Sequence, residues 1–222
     1  SCGDLWEPGA EMPPATRHAF DAWMGREFPT LPFERFADDA VVHCVTEKQA
    51  RYVRAKLAER MKEVGLRLHP DKTRIVYCQD ENRCEAYGNT SFSFLGYTFR
   101  ARGARGKDGR TFSSFQLAVS RDALKKMGGV VRRWRIHLRT TDDIATLAAW
   151  LNPVIRGWVN YYGEFYRSEL YRLLRRINTY LVRWARRKFK RLRSFKKAKR
   201  WWNGLICKQP RLFAHWAWCT SF

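Results

Sequence analysis

The sequence predicts an α+β protein in which the strands come first and a helical part follows. Short runs with the alternating apolar pattern of β-strands occur in the first half, whereas helical spacing dominates the second half. The balance of positive and negative residues changes at the same point in the chain. Residues 1–119 hold 18 Lys and Arg against 16 Asp and Glu, whereas residues 120–222 hold 25 against 5. We therefore predict an irregular leader over 1–17, a mixed domain over 18–119 and a basic helical domain over 120–222.

Composition favours a folded protein with a polyanionic partner. The chain of 222 residues is 45% hydrophobic and 15% aromatic, and its net charge is +22. This density of like charge, with aromatic residues interleaved, favours nucleic acid over the alternative of a solubilising or membrane-surface basic face. No apolar run reaches the ~20 residues of a membrane span, so no membrane partner is expected.

The six cysteines favour reduced thiols in a cytoplasmic protein. None forms a C-x-x-C motif, and the chain does not open with the charged and apolar regions of a secretory signal. Cys207, His215 and Cys219 are conceivable zinc ligands, but their spacing differs from that of common zinc fingers and no fourth ligand is evident. We therefore favour free thiols over a zinc site.

Two adjacent carboxylates lie between two strand-like runs. Phe33–Phe36 and Ala40–Val45 are predicted to form an antiparallel hairpin with Asp38 and Asp39 at its tip, and His43 is expected to be packed on its strand. Adjacent carboxylates repel each other and are usually neutralised by solvent or by a divalent cation. The pair therefore indicates either a metal site or a plain polar turn, which Asp favours in its own right.

Helices and further strands are predicted around this hairpin. Thr46 and Gln49 form a capping box before a helix that ends at Gly65, a C′ residue. Leu66–Thr73 is predicted as a turn. The remaining elements of the first part are a short helix at His18–Glu27 and strands at Arg74–Cys78, at Phe92–Phe99 with a bend at its Gly, and at Thr111–Val119.

Three amphipathic helices are predicted in the second part. Ser120 caps the first, which Gly128-Gly129 should loosen, and Thr141 caps the second, which Pro153 should kink or split. The third begins near Ser168 and carries an apolar packing seam, formed by Leu170, Leu174, Ile177, Leu181 and Trp184. Its opposite face is rich in arginine with almost no acidic balance, which favours a phosphate-facing surface over an ordinary solvated face.

Four sequence blocks, in order along the chain, resemble those of group II intron reverse transcriptases. Phe33–Asp39, Gly65–Thr73 and Phe94–Phe99 are similar to the last three blocks of the polymerase. Leu151–Gly163 resembles the hallmark of the maturase-specific domain, or domain X, of the same proteins. The resemblance implies that the first part is the C-terminal part of a reverse transcriptase palm, with antiparallel strands and a helix, and that the second is an α-helical, basic thumb and domain X.

The resemblance also implies RNA-directed DNA polymerase chemistry with Mg²⁺. The implied site residues are the metal-binding pair Asp38 and Asp39, the nucleotide-proximal Lys72, and the primer-holding Phe94, Leu95 and Gly96. Phe36 stands where the family usually has Tyr. In this family another metal-binding Asp and a fingers region lie upstream of the hairpin, and no residue before Phe33 supplies either. Two-metal catalysis needs carboxylates from separate elements, so the polymerase site is expected to be incomplete.

The resemblance further implies that the basic helices grip RNA. The implied RNA-binding residues are Arg132, Arg133, Arg156, Tyr161, Tyr162, Arg175, Arg176, Arg186, Arg187 and Lys188. The two tyrosines can equally be core residues, and Arg156 can equally cap a neighbouring helix. The expected partners are intron RNA, DNA as a second nucleic acid, and a separate N-terminal reverse transcriptase half.

Three functions are open on the sequence alone. The favoured one is a truncated maturase that binds intron RNA and serves splicing. The second is a reverse transcriptase that is active only when a separate fingers and palm half complements it. The third is a decayed fragment without function.

Overall fold

The computed structural model describes the backbone of residues 14–222 and the side chains from Phe20 onward. The chain divides into two compact units, Ser1–Gln116 and Leu117–Phe222, close to the change in charge. The first unit combines helices with two antiparallel sheets and the second is helical, so the expected α+β class is confirmed. None of the described helices is long and apolar enough to cross a membrane.

Helix α1 begins earlier than the sequence pattern indicates. It spans Pro14–Glu27 and therefore includes the last four residues of the predicted leader, whose other residues lie outside the described part. Proline suits the first position of a helix, because its fixed φ is helical and its missing N–H would have no intrahelical partner there.

A β-hairpin packs against two helices in the first unit. Its strands are β1, Phe33–Phe36, and β2, Asp39–Val42, and helix α2 follows at Glu47–Glu63. One face of the hairpin and the two helices share a small apolar cluster, centred on Phe20, Trp23, Met24 and Met61. β2 ends before the predicted Val45, and the packed environment predicted for His43 is wrong. This side chain is exposed beyond the strand end, where its Nε2 lies 2.5 Å from Glu34 Oε2.

Both ends of α2 are formed as the sequence predicts. Thr46 Oγ1 accepts a hydrogen bond from the Gln49 N–H (3.2 Å), and Gln49 Oε1 accepts one from the Val45 N–H (2.8 Å). Gly65 adopts a φ of 75°, and its N–H and that of the next residue donate back to carbonyls of the last turn. These bonds form a Schellman motif, which needs a left-handed residue and therefore favours glycine.

The second sheet of the first unit has three strands in the order β3-β4-β5, which span Ser91–Phe94, Tyr97–Arg105 and Thr111–Val119. The prediction of one bent strand at Phe92–Phe99 is wrong, because Leu95 and Gly96 form a two-residue turn that reverses the chain. Both have a positive φ, 50° and 79°, as in a type I′ turn, whose twist suits a hairpin. Phe92 and Phe99 are stacked across this hairpin with ring centroids 4.6 Å apart.

The strand predicted at Arg74–Cys78 is not formed. This segment is instead held by isolated contacts. The Tyr77 N–H donates to the Asn89 carbonyl (2.9 Å), and the ring of Tyr77 stacks on that of Tyr87 (4.3 Å). Apolar alternation produces a strand only where a partner strand completes the ladder, and in the described residues this segment belongs to neither sheet.

The described residues of the second unit form four α-helices: α3 at Arg121–Arg133, α4 at Ile144–Tyr162, α5 at Tyr171–Lys188 and α6 at Phe195–Lys208. As predicted, Ser120 caps α3, and its Oγ accepts the Ala123 N–H at 3.1 Å. The cap predicted for α4 is wrong, because Asp143 and not Thr141 precedes it. Asp143 Oδ1 accepts the Thr146 N–H at 2.7 Å, and this bond lowers the pKa of the Asp143 carboxyl.

Pro153 does not split α4, which is one helix of 19 residues. Leu151, Asn152 and Ile155 on either side of the proline are buried. We attribute the continuity of the helix to this packing, which offsets the hydrogen bond that proline removes.

The packing seam predicted for α5 is confirmed. All five of its residues are at most 1% exposed: Leu170, Leu174, Ile177, Leu181 and Trp184. The indole N–H of Trp184 donates to the Arg139 carbonyl (2.7 Å), which ties α5 to the segment before α4. Trp134 and Trp158 are half-buried and stack on each other, with ring centroids 5.4 Å apart.

A buried asparagine on each of α4 and α5 fastens the C-terminal segment to the helices. Asn152 of α4 donates to the Leu212 carbonyl (2.9 Å) and accepts the Ala214 N–H (2.8 Å). Its amide thus satisfies a backbone donor and a backbone acceptor of a segment that has no regular ladder of its own.

Asn178 of α5 forms the larger of the two networks. Its Nδ2 donates to the carbonyls of Cys219 (3.1 Å) and Ser221 (2.8 Å), and its Oδ1 accepts from His215 Nε2 (2.6 Å) and Trp216 Nε1 (3.2 Å). Since Oδ1 is an acceptor, the proton of the neutral His215 ring is on Nε2. His215 is fully buried, and burial lowers its pKa to about 3.

Candidate nucleic-acid interface and carboxylate hairpin

The carboxylate pair lies at the end of the first hairpin, but the two residues differ in position. Phe36 pairs with Asp39, so the two-residue turn is Ala37-Asp38 and Asp39 belongs to β2. The prediction that both carboxylates occupy the tip is therefore corrected for Asp39. Ala37 has a φ of 53°, a left-handed conformation that costs a residue with a Cβ about 1–2 kcal/mol.

An ion pair fixes this turn to α1. The Arg35 guanidinium donates to both carboxylate oxygens of Asp21 (2.7 and 2.6 Å) and to the Ala37 carbonyl (3.0 Å). The hydrogen bond to Asp21 raises the pKa of Arg35. Bidentate pairs of this kind constrain orientation as well as distance, so the backbone beside Asp38 is held in place.

The predicted polymerase residues lie at three turns of the first unit. Asp38 is in the first hairpin turn, Lys72 is half-buried in the turn after α2, and Phe94, Leu95 and Gly96 form the second hairpin turn and its entry. Among the described residues, no group of three or more His, Cys, Asp or Glu side chains could hold a metal ion. Mg²⁺ is often bound by only one or two carboxylates together with water and substrate phosphates, so Asp38 and Asp39 fit part of such a site.

An arginine-lined groove lies between α3 and α5 in the second unit. We call it the arginine groove; its volume is about 550 Å³, and its lining residues are Arg132, Arg172, Arg175, Arg176, Thr179, Tyr180 and Arg183. None of these seven described residues is acidic. Five guanidinium groups without a carboxylate among them form a strongly positive concave surface, of the kind that attracts phosphate groups.

A glycine on α3 provides room for one of the guanidinium groups. A Cβ at Gly128 would lie 2.7 Å from Arg176 Nη1, closer than such atoms normally approach. The predicted loosening of α3 at Gly128-Gly129 does not interrupt the helix, which continues to Arg133. Gly128 therefore lets the Arg176 head lie close against the backbone of α3.

The predicted RNA-binding residues differ in their surroundings. Arg132, Arg175 and Arg176 line the arginine groove. Two others are engaged within the fold, because Arg186 donates to the Arg193 carbonyl (3.0 and 2.7 Å) and Lys188 to the Asp142 carbonyl (2.7 Å). Tyr162 is half-buried. The other four are exposed: Arg133, Arg156, Tyr161 and Arg187.

The sequence places Arg172 and Arg183 on the arginine-rich face of the third predicted helix, but the predicted site residues do not include them. Both line the arginine groove together with Arg175 and Arg176, one to two helical turns away on α5. The spacing Arg172, Arg176, Thr179 and Arg183 follows one face of a helix and was the available signal. Which arginines of a basic helix face a neighbouring helix, however, depends on the packing of α3 against α5.

Paired carboxylates on a hairpin and an arginine groove are features of proteins that act on nucleic acids. The sequence matches the family model described as reverse transcriptase (RNA-dependent DNA polymerase) over residues 9–99, a range that begins within the predicted leader. It matches the model described as group II intron, maturase-specific domain over residues 124–202. The chain therefore belongs to the group II intron reverse transcriptase/maturase family, as its four sequence blocks predict. No curated protein matches the sequence significantly.

Proposed function

We propose that this chain binds RNA through the arginine groove, and that intron RNA is its natural ligand. The observation that carries the proposal is the set of five arginines in one groove without an acidic residue among the lining side chains. All seven lining residues of the groove lie within the range that matches the maturase-specific domain of group II introns, which supports an intron RNA as the polyanion. The biological role of this binding would be to assist the splicing of that RNA.

The groove is suited to the phosphate backbone more than to bases. Tyr180, the only aromatic side chain among the seven described lining residues, already stacks on His137 (5.5 Å between ring centroids) and lies under the Arg183 guanidinium (5.7 Å). Guanidinium contacts to phosphate carry little sequence information, whereas base contacts specify. DNA is therefore a second ligand that this groove would accept.

Removing two groove arginines is expected to weaken RNA binding at least tenfold. In Arg175→Ala/Arg176→Ala, two charge-assisted contacts to phosphate are lost. The slope of log K against log salt concentration should fall by about 1.4–1.8, because each of the two phosphate contacts contributes about 0.7–0.9. Fluorescence anisotropy with a labelled intron RNA, over a series of salt concentrations, measures both quantities.

A charge-matched variant outside the groove distinguishes binding at the groove from nonspecific attraction by the net positive charge. Lys196 and Lys197 are exposed on α6 and do not line the groove, so Lys196→Ala/Lys197→Ala removes the same charge elsewhere in the same unit. This control should change the affinity by less than threefold. Equal losses in the two variants, or binding that does not respond to salt, would contradict the proposal.

A second function is favoured by the strained turn at the carboxylate pair. Ala37 in a left-handed conformation and the Arg35 clamp are the kind of local strain and constraint that functional sites retain. Asp38 and Asp39 would contribute ligands to a Mg²⁺ ion, whose chemistry is to stabilise the charge of phosphoryl transfer. The remaining carboxylates would come from a separate N-terminal reverse transcriptase half.

Primer extension tests this second function. The chain alone with Mg²⁺, an RNA template and a primer should give no product, whereas addition of a separate fingers and palm half should restore synthesis. Asp38→Asn should abolish the restored synthesis, and Asp108→Asn, an exposed carboxylate in the turn between β4 and β5, should leave it unchanged. Robust synthesis by the chain alone would contradict the need for complementation.

A further inference from the structure

His137 lies between α3 and α4, in the short 3₁₀ helix Ile136–Leu138, and contacts the wall of the arginine groove. Its imidazole ring stacks on Tyr180, a groove residue, at 5.5 Å with an angle of 23° between the ring planes. The ring is half-buried, and its Nδ1 is buried without a hydrogen-bond partner in the described residues. The imidazole is therefore part of the packing behind the groove and is not a freely solvated side chain.

The charges around His137 are all positive. Arg135 belongs to its own connection, and Arg183 and Arg187 belong to α5, the element on which the ring packs; Tyr180 on α5 is the remaining titratable neighbour. Burial and these three guanidinium groups lower the pKa of His137 below its ordinary value, burial having the larger effect. No carboxylate is among the groups that shift it.

We infer that His137 couples RNA binding at the arginine groove to the uptake of a proton. The inference rests on the proposed RNA-binding function. Phosphates placed against Arg183 and Arg187 would cancel the positive charge that disfavours a protonated imidazole. The imidazolium would then become one more positive charge behind the groove. The free protein holds His137 neutral near pH 7, and the complex favours its charged form.

Proton linkage gives the direction in which pH changes the affinity for RNA. If the bound state takes up a proton that the free state lacks, affinity rises as the pH falls through the interval between the two pKa values of His137. Above both values and below both values the affinity is independent of this residue. A rise of one pKa unit on binding would strengthen binding by at most about tenfold across that interval.

The experiment measures the dissociation constant for a labelled intron RNA from about pH 6 to about pH 7.5 at constant ionic strength. The native protein, His137→Gln and His43→Gln are compared. His43 is the matched control, since it is an exposed histidine of the first unit beside Glu34. The native protein and His43→Gln should bind severalfold more tightly at the lower pH, whereas His137→Gln should show no such gain.

NMR titration of the His137 ring, free and RNA-bound, keeps the inference testable if the variant folds poorly. A higher pKa in the complex is expected. An unchanged pKa, or a pH dependence that persists in His137→Gln, would overturn the inference. Salt-sensitive binding that is independent of pH in the native protein would overturn it and leave RNA binding intact, whereas no salt-sensitive binding at any pH would overturn both.

Discussion

Gly163→Ala is expected to destabilise residues 117–222 by about 3 kcal/mol or more, the range of severe overpacking in a folded interior. Gly163 ends α4 and is buried. A Cβ at this position would overlap the ring of Trp218 and the Val159 carbonyl oxygen. Neither can retreat easily, because an indole is rigid and the carbonyl belongs to the last turn of α4. The Arg167 guanidinium also packs over the Trp218 ring, 4.8 Å from its centroid, which further restricts movement of the indole.

The measurement is denaturant unfolding followed by tryptophan fluorescence, which reports mainly on the second unit, since eight of the ten tryptophans lie in it. Gly157→Ala is the matched control on the same helix, because no atom outside the adjacent backbone of α4 and the two neighbouring residues lies within 4 Å of the position that its Cβ would occupy. Alanine is the better helix former, so this control should be neutral or stabilising by up to about 1 kcal/mol. A Gly163→Ala protein as stable as the control would show that Trp218 has another place to go.

The second unit is expected to lose about 2 kcal/mol of stability between about pH 7.5 and about pH 5 through His215 alone. The pKa of this buried ring is lowered to about 3 in the folded protein, whereas its ordinary value is 6.5. The unfolded chain therefore binds a proton below about pH 6.5 that the folded chain rejects. Stability is complete above this pH and falls as the pH decreases towards the folded value.

His215→Gln keeps a donor for Asn178 Oδ1 and removes the titration. We expect this variant to be less stable at neutral pH but to lose most of the pH dependence in this interval. His137, whose pKa is lowered in the same direction, contributes a smaller part of the slope. Equal slopes for the native protein and His215→Gln in unfolding experiments would exclude His215 as the titrating group. His43→Gln serves as a control with an exposed imidazole.

The elements that local chemistry specifies were predictable. The capping box at Thr46 and the left-handed Gly65 bound α2 because both signals act within a few residues. The seam of α5 was equally visible, since a period of three and four residues has one interpretation when it continues over several turns. The carboxylate hairpin was predicted from local alternation as well, although its turn is Ala37-Asp38 and Asp39 belongs to the second strand.

The incorrect predictions concern segments whose structure depends on contacts with residues distant in the sequence. Arg74–Cys78 has a strand pattern but belongs to neither sheet, and the alternation at Phe92–Phe99 conceals a reversal at Leu95, where a bulky residue adopts a positive φ. Thr141 and Asp143 are both good caps, and the sequence alone does not choose between them. Pro153 predicts a kink or a break in the helix, although buried neighbours keep α4 continuous.

The candidate sites divide in the same way. The carboxylates at the first hairpin are adjacent in sequence and were found there, whereas the arginine groove is assembled from α3 and α5, about 40 to 50 positions apart in the chain. Sequence could mark Arg132, Arg175 and Arg176 as basic surface residues. It could not indicate that they share one cavity with Arg172 and Arg183, because this depends on how closely the two helices approach.

The close approach of Arg176 to Gly128 means that a residue of α3 can alter the position of a groove guanidinium. Any uncharged side chain introduced there would displace the Arg176 guanidinium, whose Nη1 is 2.7 Å from the position of a Cβ, without altering the net charge. A substitution at this one buried position would therefore move a groove guanidinium while the net charge stays the same. A comparison of such variants by net charge alone would not detect the difference.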